Sequence, residues 1–156
     1  MQRTMVMLKP DAVQRGLVGQ IIARFEAKGL WLVAMKMAIL GRQAAQRHYA
    51  PHKDKEFYEP LMQFLESGPV VLLVFEGKGA VGVVRKMVGA TCGAEAEAGT
   101  IRGDYGMSNR FNLIHASDSP DAAEREIAIF FRPEELVDWQ PAARPWTYDF
   151  STGEPV

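Results

Sequence analysis

Apolar and polar positions along the chain predict a short series of strands and helices. The apolar runs at residues 4–9, 30–40, 70–75 and 112–116 are typical of strands. The clearest is VVLLVF at residues 70–75, because it is short, continuous and rich in branched side chains. Apolar residues at helical spacing predict helices over residues 17–28, 43–49, 57–66, 80–88 and 119–131, with one more turn near 133–136.

Local stop and start signals support two of these helices. Gly29 is well placed to end the helix over residues 17–28. Ser119 is a capping residue, followed by Pro120 at the first helical position and Asp121 in the first turn. By contrast, Pro10 should end the first strand and begin a loop.

The remaining segments lack a regular pattern. Residues 91–105 are rich in Gly, Ala and acidic side chains, so we expect a long irregular loop, and such loops are often functional. In the tail after Pro141, Trp146 and Tyr148 are expected to dock onto the rest of the chain. The order of elements predicts one sheet covered by helices on one face, but the pattern leaves the strand order open.

Length and charge limit the classes of function. The 156 residues fit a single domain over residues 1–156, with a core of 1–140 and a C-terminal extension of 141–156. A net charge of −1 gives no support for binding nucleic acid or an anionic membrane. The amino terminus lacks the pattern of a signal peptide, no apolar run is long enough to span a bilayer, and Cys92 has no partner for a disulfide. We therefore expect a cytoplasmic enzyme.

Three segments concentrate reactive side chains: residues 9–11, 100–104 and 112–119. Arginine and lysine suit phosphate oxygens, and a neutral imidazole is an adequate nucleophile near pH 7 because its ordinary pKa is about 6.5. Structural readings remain open. His115 could be a structural histidine, Lys9 a solvated strand end and Arg102 a partner of Asp104. Pattern alone therefore reaches only an anion-binding α/β domain.

A glycine-rich motif offers a competing interpretation. GKGAVG at residues 77–82 matches the dinucleotide-binding pattern and lies between a strand and a helix. A dinucleotide fold also needs a second parallel strand about 20 residues further on, where this chain has the irregular segment 91–105. We therefore expect these glycines to shape a strand-to-helix connection.

Longer motifs carry a family resemblance. NLIHASDS at residues 112–119 closely resembles the active-site signature of nucleoside diphosphate kinases. The likeness also covers MLKPDAVQRGLVG at 7–19, SGPVV at 67–71, GTIRGDY at 99–105 and EELVDW at 134–139. It implies a ferredoxin-like βαββαβ fold, an α+β sandwich with a four-stranded antiparallel sheet covered by helices.

The resemblance also implies an activity. His115 would take the γ-phosphate of a nucleoside triphosphate and pass it to a nucleoside diphosphate in a ping-pong reaction. Mg²⁺ would arrive with the nucleotide, so no metal site made by the protein is expected. The alternative is a catalytically silent family member that binds nucleotides or serves as a scaffold.

Site residues follow from the resemblance by position. Glu126 would orient the imidazole of His115 through its far nitrogen, and Ser117 would supply a nearby hydroxyl. Phe57 and Leu61 would stack on the base. Matches to the family's phosphate and sugar contacts are Lys9, Tyr49, Arg85, Thr91, Arg102 and Asn112.

Some positions depart from the family. Asn109 replaces an apolar residue on the base side of the pocket, so base preference is expected to differ. Ala116 replaces the commoner glycine after the histidine, and Gly93 stands where a proline is frequent, which predicts a more flexible loop. Relatives are hexamers, tetramers or dimers, and the long tail favours a homo-hexamer over a tetramer here.

Overall fold

A computed structural model describes residues 1–153 and 155; residues 154 and 156, part of the predicted extension, lie outside it. Its strands are β1 (Gln2–Leu8), β2 (Trp31–Ala38), β3 (Val70–Gly77) and β4 (Ile114–Ala116). Its α-helices are α1 (Pro10–Gln14), α2 (Val18–Ala27), α3 (Arg42–His48), α4 (Tyr58–Glu66), α5 (Ala80–Val88), α6 (Ile101–Tyr105), α7 (Pro120–Phe130) and α8 (Arg144–Thr147). Short 3-10 helices span Ala50–His52, Gly93–Glu95 and Pro133–Glu135.

The strands form one sheet in the order β2-β3-β1-β4, and every neighbouring pair is antiparallel. This order, with helices between β1 and β2 and between β3 and β4, is the expected ferredoxin-like α+β arrangement. The prediction of a four-stranded antiparallel sheet is therefore confirmed. A dinucleotide fold needs parallel strands, so that interpretation of residues 77–82 is wrong.

Helices cover both faces of the sheet, so the expectation of helices on one face only is wrong. Successive side chains of a strand point to opposite faces, and those of β1 enter two different cores. Val6 and Leu8 pack in a core with α2 and α5, whereas Met5 and Met7 pack in a core with α3, α4 and α7. The site described below lies on the second of these faces, near the short edge strand β4.

Most predicted helices are present within a residue or two of their expected ends, but α1, α6, α8 and the 3-10 helices Ala50–His52 and Gly93–Glu95 were missed. Residues 10–14 form α1 instead of a loop. The segment predicted to be irregular, 91–105, contains Gly93–Glu95 and α6. In the tail, α8 was not predicted. In α6, Thr100 caps the helix by accepting a hydrogen bond from the Gly103 amide, a signal that apolar periodicity does not reveal.

Glycines shape the connections, as expected from residues 77–82. Gly29 ends α2 with φ of +97°, and Gly79 precedes α5 with φ of +56°, a region that favours glycine. At Gly77, an added Cβ would lie 2.5 Å from Leu30 Cδ2, so a larger residue there would require the Leu30 side chain to shift.

The tail docks through one of the two aromatic residues that were expected to do so. The Tyr148 hydroxyl donates a hydrogen bond of 2.9 Å to the Gly29 carbonyl, and its ring lies edge-on to Trp31. Trp146 is 93% exposed, so the expectation that it also docks is wrong. Among the described residues, no helix combines the length and apolar character needed to cross a membrane.

Candidate active site

A strained turn presents His115 at the start of β4. Leu113 has φ of +71°, and the Ile114 amide donates to the Asn112 carbonyl at 2.8 Å across it. Such a turn is unfavourable for a residue with a side chain, at about 1–3 kcal/mol, and persists only where the surroundings hold it. His115 follows two residues later, opposite Met7 of β1.

Side chains from two other segments hold this turn. The Asp11 carboxylate accepts from the Leu113 amide at 3.0 Å, and the Leu113 carbonyl accepts from the Lys9 amide at 2.8 Å. The Arg102 guanidinium donates from Nε to the Asn112 carbonyl at 3.1 Å and from Nη2 to the Ile114 carbonyl at 2.6 Å. Arg102 therefore holds the turn in place as well as bringing a positive charge to the site.

His115 forms a pair with a buried carboxylate. Its Nε2 lies 3.0 Å from Glu126 Oε2, and the same oxygen accepts a 2.7 Å hydrogen bond from the Ser117 hydroxyl. Burial raises the pKa of Glu126. The hydrogen bond and charge of His115 and the hydrogen bond from Ser117 lower it by more, so the pKa of Glu126 lies below its usual value. An ionised Glu126 can only accept, so Nε2 carries the proton and Nδ1 keeps its lone pair.

The His115 ring remains accessible. Its side chain is 21% exposed, whereas that of Glu126 is 6% exposed. A histidine sealed in the interior could not meet a phosphate, so this exposure is required of a nucleophile. Glu126 thus orients the imidazole through Nε2, while part of the His115 side chain stays exposed.

Three cations gather beside this pair. Lys9 is buried, and its ammonium donates a 2.7 Å hydrogen bond to Asn112 Oδ1. Burial and then the charge of Arg102 lower the pKa of Lys9 to about 8. Burial and then the charge of Arg85 lower the pKa of Arg102 to about 10. Like charges held together in this way favour a bound anion, because the anion relieves their repulsion.

A cavity of about 540 Å³ extends from Lys9. It is lined by five of the residues named for nucleotide contacts, which are Lys9, Phe57, Leu61, Thr91 and Asn112, and by the segment Ser108, Asn109, Arg110 and Phe111. Asn109, which was expected on the base side of the pocket, lines this cavity. A larger cavity of about 790 Å³ lies beside Arg3 and Phe131 and contains none of the predicted site residues.

The other predicted residues lie at varying distances from the pair. Tyr49 is buried with its ring centre 5.8 Å from that of His115, and burial raises the pKa of its hydroxyl. Arg85 lies exposed on α5 and acts on the site through its charge on Arg102. Thr91 is exposed at the cavity, where its carbonyl accepts from Asn112 Nδ2 at 2.9 Å.

Three residues near the site were not singled out from the sequence. Asp11 was quoted within a segment, but its bond to the strained turn depends on a contact across 102 positions. Phe111 packs edge-on against Phe64 at the rim of the cavity. His48 is 3% exposed and lies with its ring centre 4.5 Å from that of His115. Burial and then the charge of His115 lower the pKa of His48 to about 3. No local pattern marks any of the three.

Together, the antiparallel sheet and this cleft define an α+β protein with an anion-binding site built around a histidine–carboxylate pair. The family model described as nucleoside diphosphate kinase matches residues 2–136. A nucleoside diphosphate kinase of Archaeoglobus fulgidus is 55% identical over 149 residues, which cover 96% of this chain and 99% of the relative. One from Desulfitobacterium hafniense is 56% identical over 146 residues, covering 94% and 98% respectively.

Solved structures agree with the sequence relatives. A halophilic nucleoside diphosphate kinase from Halobacterium salinarum, solved in complex with CDP, is 51% identical and superposes with a TM-score of 0.93 over 95% of this chain and 99% of that one. The chain belongs to the nucleoside diphosphate kinase family. It is therefore a phosphotransferase, and no observation favours a catalytically silent member.

Proposed function

We propose that this chain transfers the terminal phosphate of a nucleoside triphosphate to a nucleoside diphosphate through a phosphohistidine at His115. The observation that carries the proposal is the pairing of Nε2 with the buried Glu126, which leaves the Nδ1 lone pair free on a side chain that is 21% exposed. The cations beside it suit the oxygens of a phosphate chain.

In the first half-reaction, the Nδ1 lone pair attacks the γ-phosphorus of the donor. The bond from phosphorus to the bridging oxygen breaks, and the nucleoside diphosphate leaves with that electron pair. The imidazole gains positive charge, which the carboxylate of Glu126 stabilises through the Nε2 proton. In the second half-reaction an acceptor diphosphate attacks the phosphohistidine, and His115 returns neutral.

Phosphate binding falls to the cations and polar groups of the cleft. Lys9 and Arg102 are buried close to the strained turn, and Arg85 adds charge from α5. Positioning and charge neutralisation provide most of the catalysis in phosphoryl transfer. Tyr49, Thr91 and Asn112 complete this proposed set as phosphate and sugar contacts, and Ser117 supports Glu126 by hydrogen bonding.

The base would lie between Phe57 and Leu61 in the cavity of about 540 Å³. Stacking recognises the flat face of a base, so the site should accept several bases. The relative from Halobacterium salinarum was solved with CDP, which supports a nucleotide in the same cleft here. Asn109 and Ser108 at the cavity would tune base preference through their polar groups.

Mg²⁺ would enter with the nucleotide. The donor set that faces the phosphates is cationic, and it fits phosphate oxygens better than a bare divalent ion. Lys9 and Arg102 would hold the phosphates that carry the ion. When bound, the ion would neutralise part of the negative charge of those phosphates.

The working molecule is proposed to be a homo-oligomer, with a hexamer preferred. Strand β2 lies at the edge of the sheet and exposes Met35 and Met37, which are 58% and 62% exposed, and Ile39 directly after the strand is 69% exposed. Met35 and Met37 share one face of the strand and, with Ile39, form an apolar stripe suited to a second copy. We also propose a single domain over the whole chain, a cytoplasmic location, and no role in nucleic-acid binding, as the net charge of −1 suggests.

Brief incubation with γ-labelled ATP in the absence of acceptor tests the proposed reaction. We expect a protein-bound phosphate that is stable in alkali, lost in acid, and released by any nucleoside diphosphate. His115→Ala should abolish the label and lower turnover by on the order of 10⁴-fold or more. His52→Gln is the control, since His52 has no part in the pair, and it should keep the label. Near-normal turnover by His115→Ala would remove the mechanism.

A further inference from the structure

His48 is a buried polar side chain that the proposed reaction does not use. It is 3% exposed, and neither ring nitrogen reaches a hydrogen-bond partner among the described residues. Its ring packs at right angles to His115 and contacts Phe130 on the other side. Burying an unsatisfied polar group costs about 1–3 kcal/mol, so two such atoms on one ring require an explanation.

The position of His48 supplies one. His48, His115 and Glu126 each offer one ligand atom, and these three atoms lie within 4.8 Å of one another. Two imidazole nitrogens and one carboxylate oxygen are a common ligand set for Zn²⁺, with a fourth position left for another ligand. Of these three ligands, His115 is the one that is partly exposed, at 21% of its side chain.

We propose that His48, His115 and Glu126 form an inhibitory site for Zn²⁺ and similar divalent transition-metal ions. The ion would sit between His115 Nε2 and Glu126 in place of the shared proton, with His48 as the third ligand. The inhibition, though not the binding, rests on the proposed role of His115.

The inhibition follows from the proton on the imidazole ring. In the active form Nε2 carries the proton and Nδ1 carries the lone pair. An ion on Nε2 displaces that proton, and a neutral ring then carries it on Nδ1, where it blocks attack on phosphorus. The ion would also occupy the Glu126 carboxylate, which otherwise stabilises the positive charge that the imidazole gains. Such an enzyme is switched off without any change in its nucleotide cleft.

The ligand set also predicts selectivity. Mg²⁺ prefers six oxygen ligands and keeps much of its water, so it should not compete for two imidazoles and one carboxylate. Zn²⁺ should therefore inhibit in the presence of excess Mg²⁺-nucleotide. This behaviour distinguishes the site from the ion that travels with the substrate.

Binding is tested with Co²⁺ as a spectroscopic substitute for Zn²⁺. The purified full chain without nucleotide should develop the visible absorption of four- or five-coordinate Co²⁺, and Zn²⁺ should remove it. His48→Phe keeps an aromatic ring against Phe130 but lacks the ligand, and it should weaken binding at least about tenfold. His52→Phe and Cys92→Ser are matched controls for other surface donors and should bind as the parent does.

Turnover in the presence of Zn²⁺ tests the inhibition, each variant compared with its own metal-free rate. The parent and both controls should lose activity reversibly, with recovery on adding EDTA, and His48→Phe should resist. Circular dichroism checks its fold, and His48→Gln serves if His48→Phe does not fold. Octahedral Co²⁺ spectra, or equal Zn²⁺ affinity in parent and His48 variants, would overturn the site. Binding at this site without inhibition would leave the site standing and count against His115 as the nucleophile.

Discussion

In the proposed reaction Glu126 orients His115, and the Glu126 carboxylate receives hydrogen bonds from two side chains at once. Glu126 Oε2 lies 3.0 Å from His115 Nε2 and 2.7 Å from the Ser117 hydroxyl. The hydrogen bond from Ser117 also lowers the pKa of Glu126, which favours the ionised carboxylate. Ser117 is therefore a positioning residue in this account, and Glu126 the residue that orients the nucleophile.

Glu126→Gln should slow the reaction without stopping it. The amide keeps the shape but loses the charge-assisted bond, worth about 1.5–3 kcal/mol, and thus about 10- to 100-fold in turnover. Steady-state kinetics with fixed donor and acceptor measure this loss. Glu124→Gln changes an exposed carboxyl on the same helix and should have no effect. A loss in Glu126→Gln as large as that of His115→Ala would contradict a purely orienting role.

Lys9 should make nucleotide binding sensitive to pH. Its pKa is lowered to about 8, and only the protonated ammonium attracts phosphate. Affinity for a nucleoside diphosphate should therefore hold below that pKa and fall above it, by up to about tenfold per pH unit. Calorimetry between pH 7 and 9.5 measures the trend. Lys9→Met should bind weakly and lose this dependence, and an unchanged slope in that variant would assign the effect to another group.

At the scale of elements, glycines allow two backbones to touch where the 3-10 helix Gly93–Glu95 meets the end of α6. A Cβ added at Gly93 would lie 2.4 Å from the carbonyl carbon of Gly106. The sequence suggested that this glycine makes the loop flexible, and that expectation stays untested. The contact gives an additional reason for glycine at position 93, because a side chain would push the backbones at Gly93 and Gly106 apart.

Gly93→Ala should destabilise the fold, by about 1–3 kcal/mol, since neither backbone can move freely. Gly82→Ala is the matched control. It lies within α5 with no atom near the added Cβ, and should stabilise by about 0.5–1 kcal/mol. Denaturant unfolding at equal protein concentration compares both with the parent. Equal stability of Gly93→Ala and the parent would show that the contact can relax.

Elements with strong local signals were predictable, and the others were not. Residues 70–75 and the capped helix at Ser119 follow from apolar periodicity and cap chemistry. α6 was missed because apolar periodicity does not mark it: its start is capped by Thr100, and Asp104 pairs with Arg24, 80 positions away. The continuous apolar runs of β1 and β3 fit burial on both faces, since a strand with one solvated face alternates, but the sequence analysis expected helices on one face only.

At the scale of the whole molecule, the site exists only because the fold brings distant segments together. Lys9, Arg102 and Glu126 come from three separate elements around β4. Spacing along the chain could not show this convergence, and only the family resemblance predicted it. The strand order was open for the same reason: pairing of β1 with both β3 and β4 is a tertiary property that no local pattern encodes.

The exposed apolar stripe on β2 should hold the oligomer together. Met35→Lys with Met37→Lys places two charges on it and should shift the protein to smaller species, because buried unpaired charges are costly. Analytical ultracentrifugation should give the mass of six chains for the parent and a lower mass for the double variant. Gln46→Lys adds a charge on the exposed side of α3 and should leave the mass unchanged. A monomeric parent would contradict the proposed assembly.

The central claim is that the His115 nitrogen facing away from Glu126 carries the phosphate. Nitrogen-15 NMR of the phosphorylated enzyme, labelled at histidine, reports which ring nitrogen is bonded to phosphorus. We expect phosphorus on Nδ1 of His115 and a proton on Nε2. Phosphate on Nε2, or on any other residue, would contradict the account.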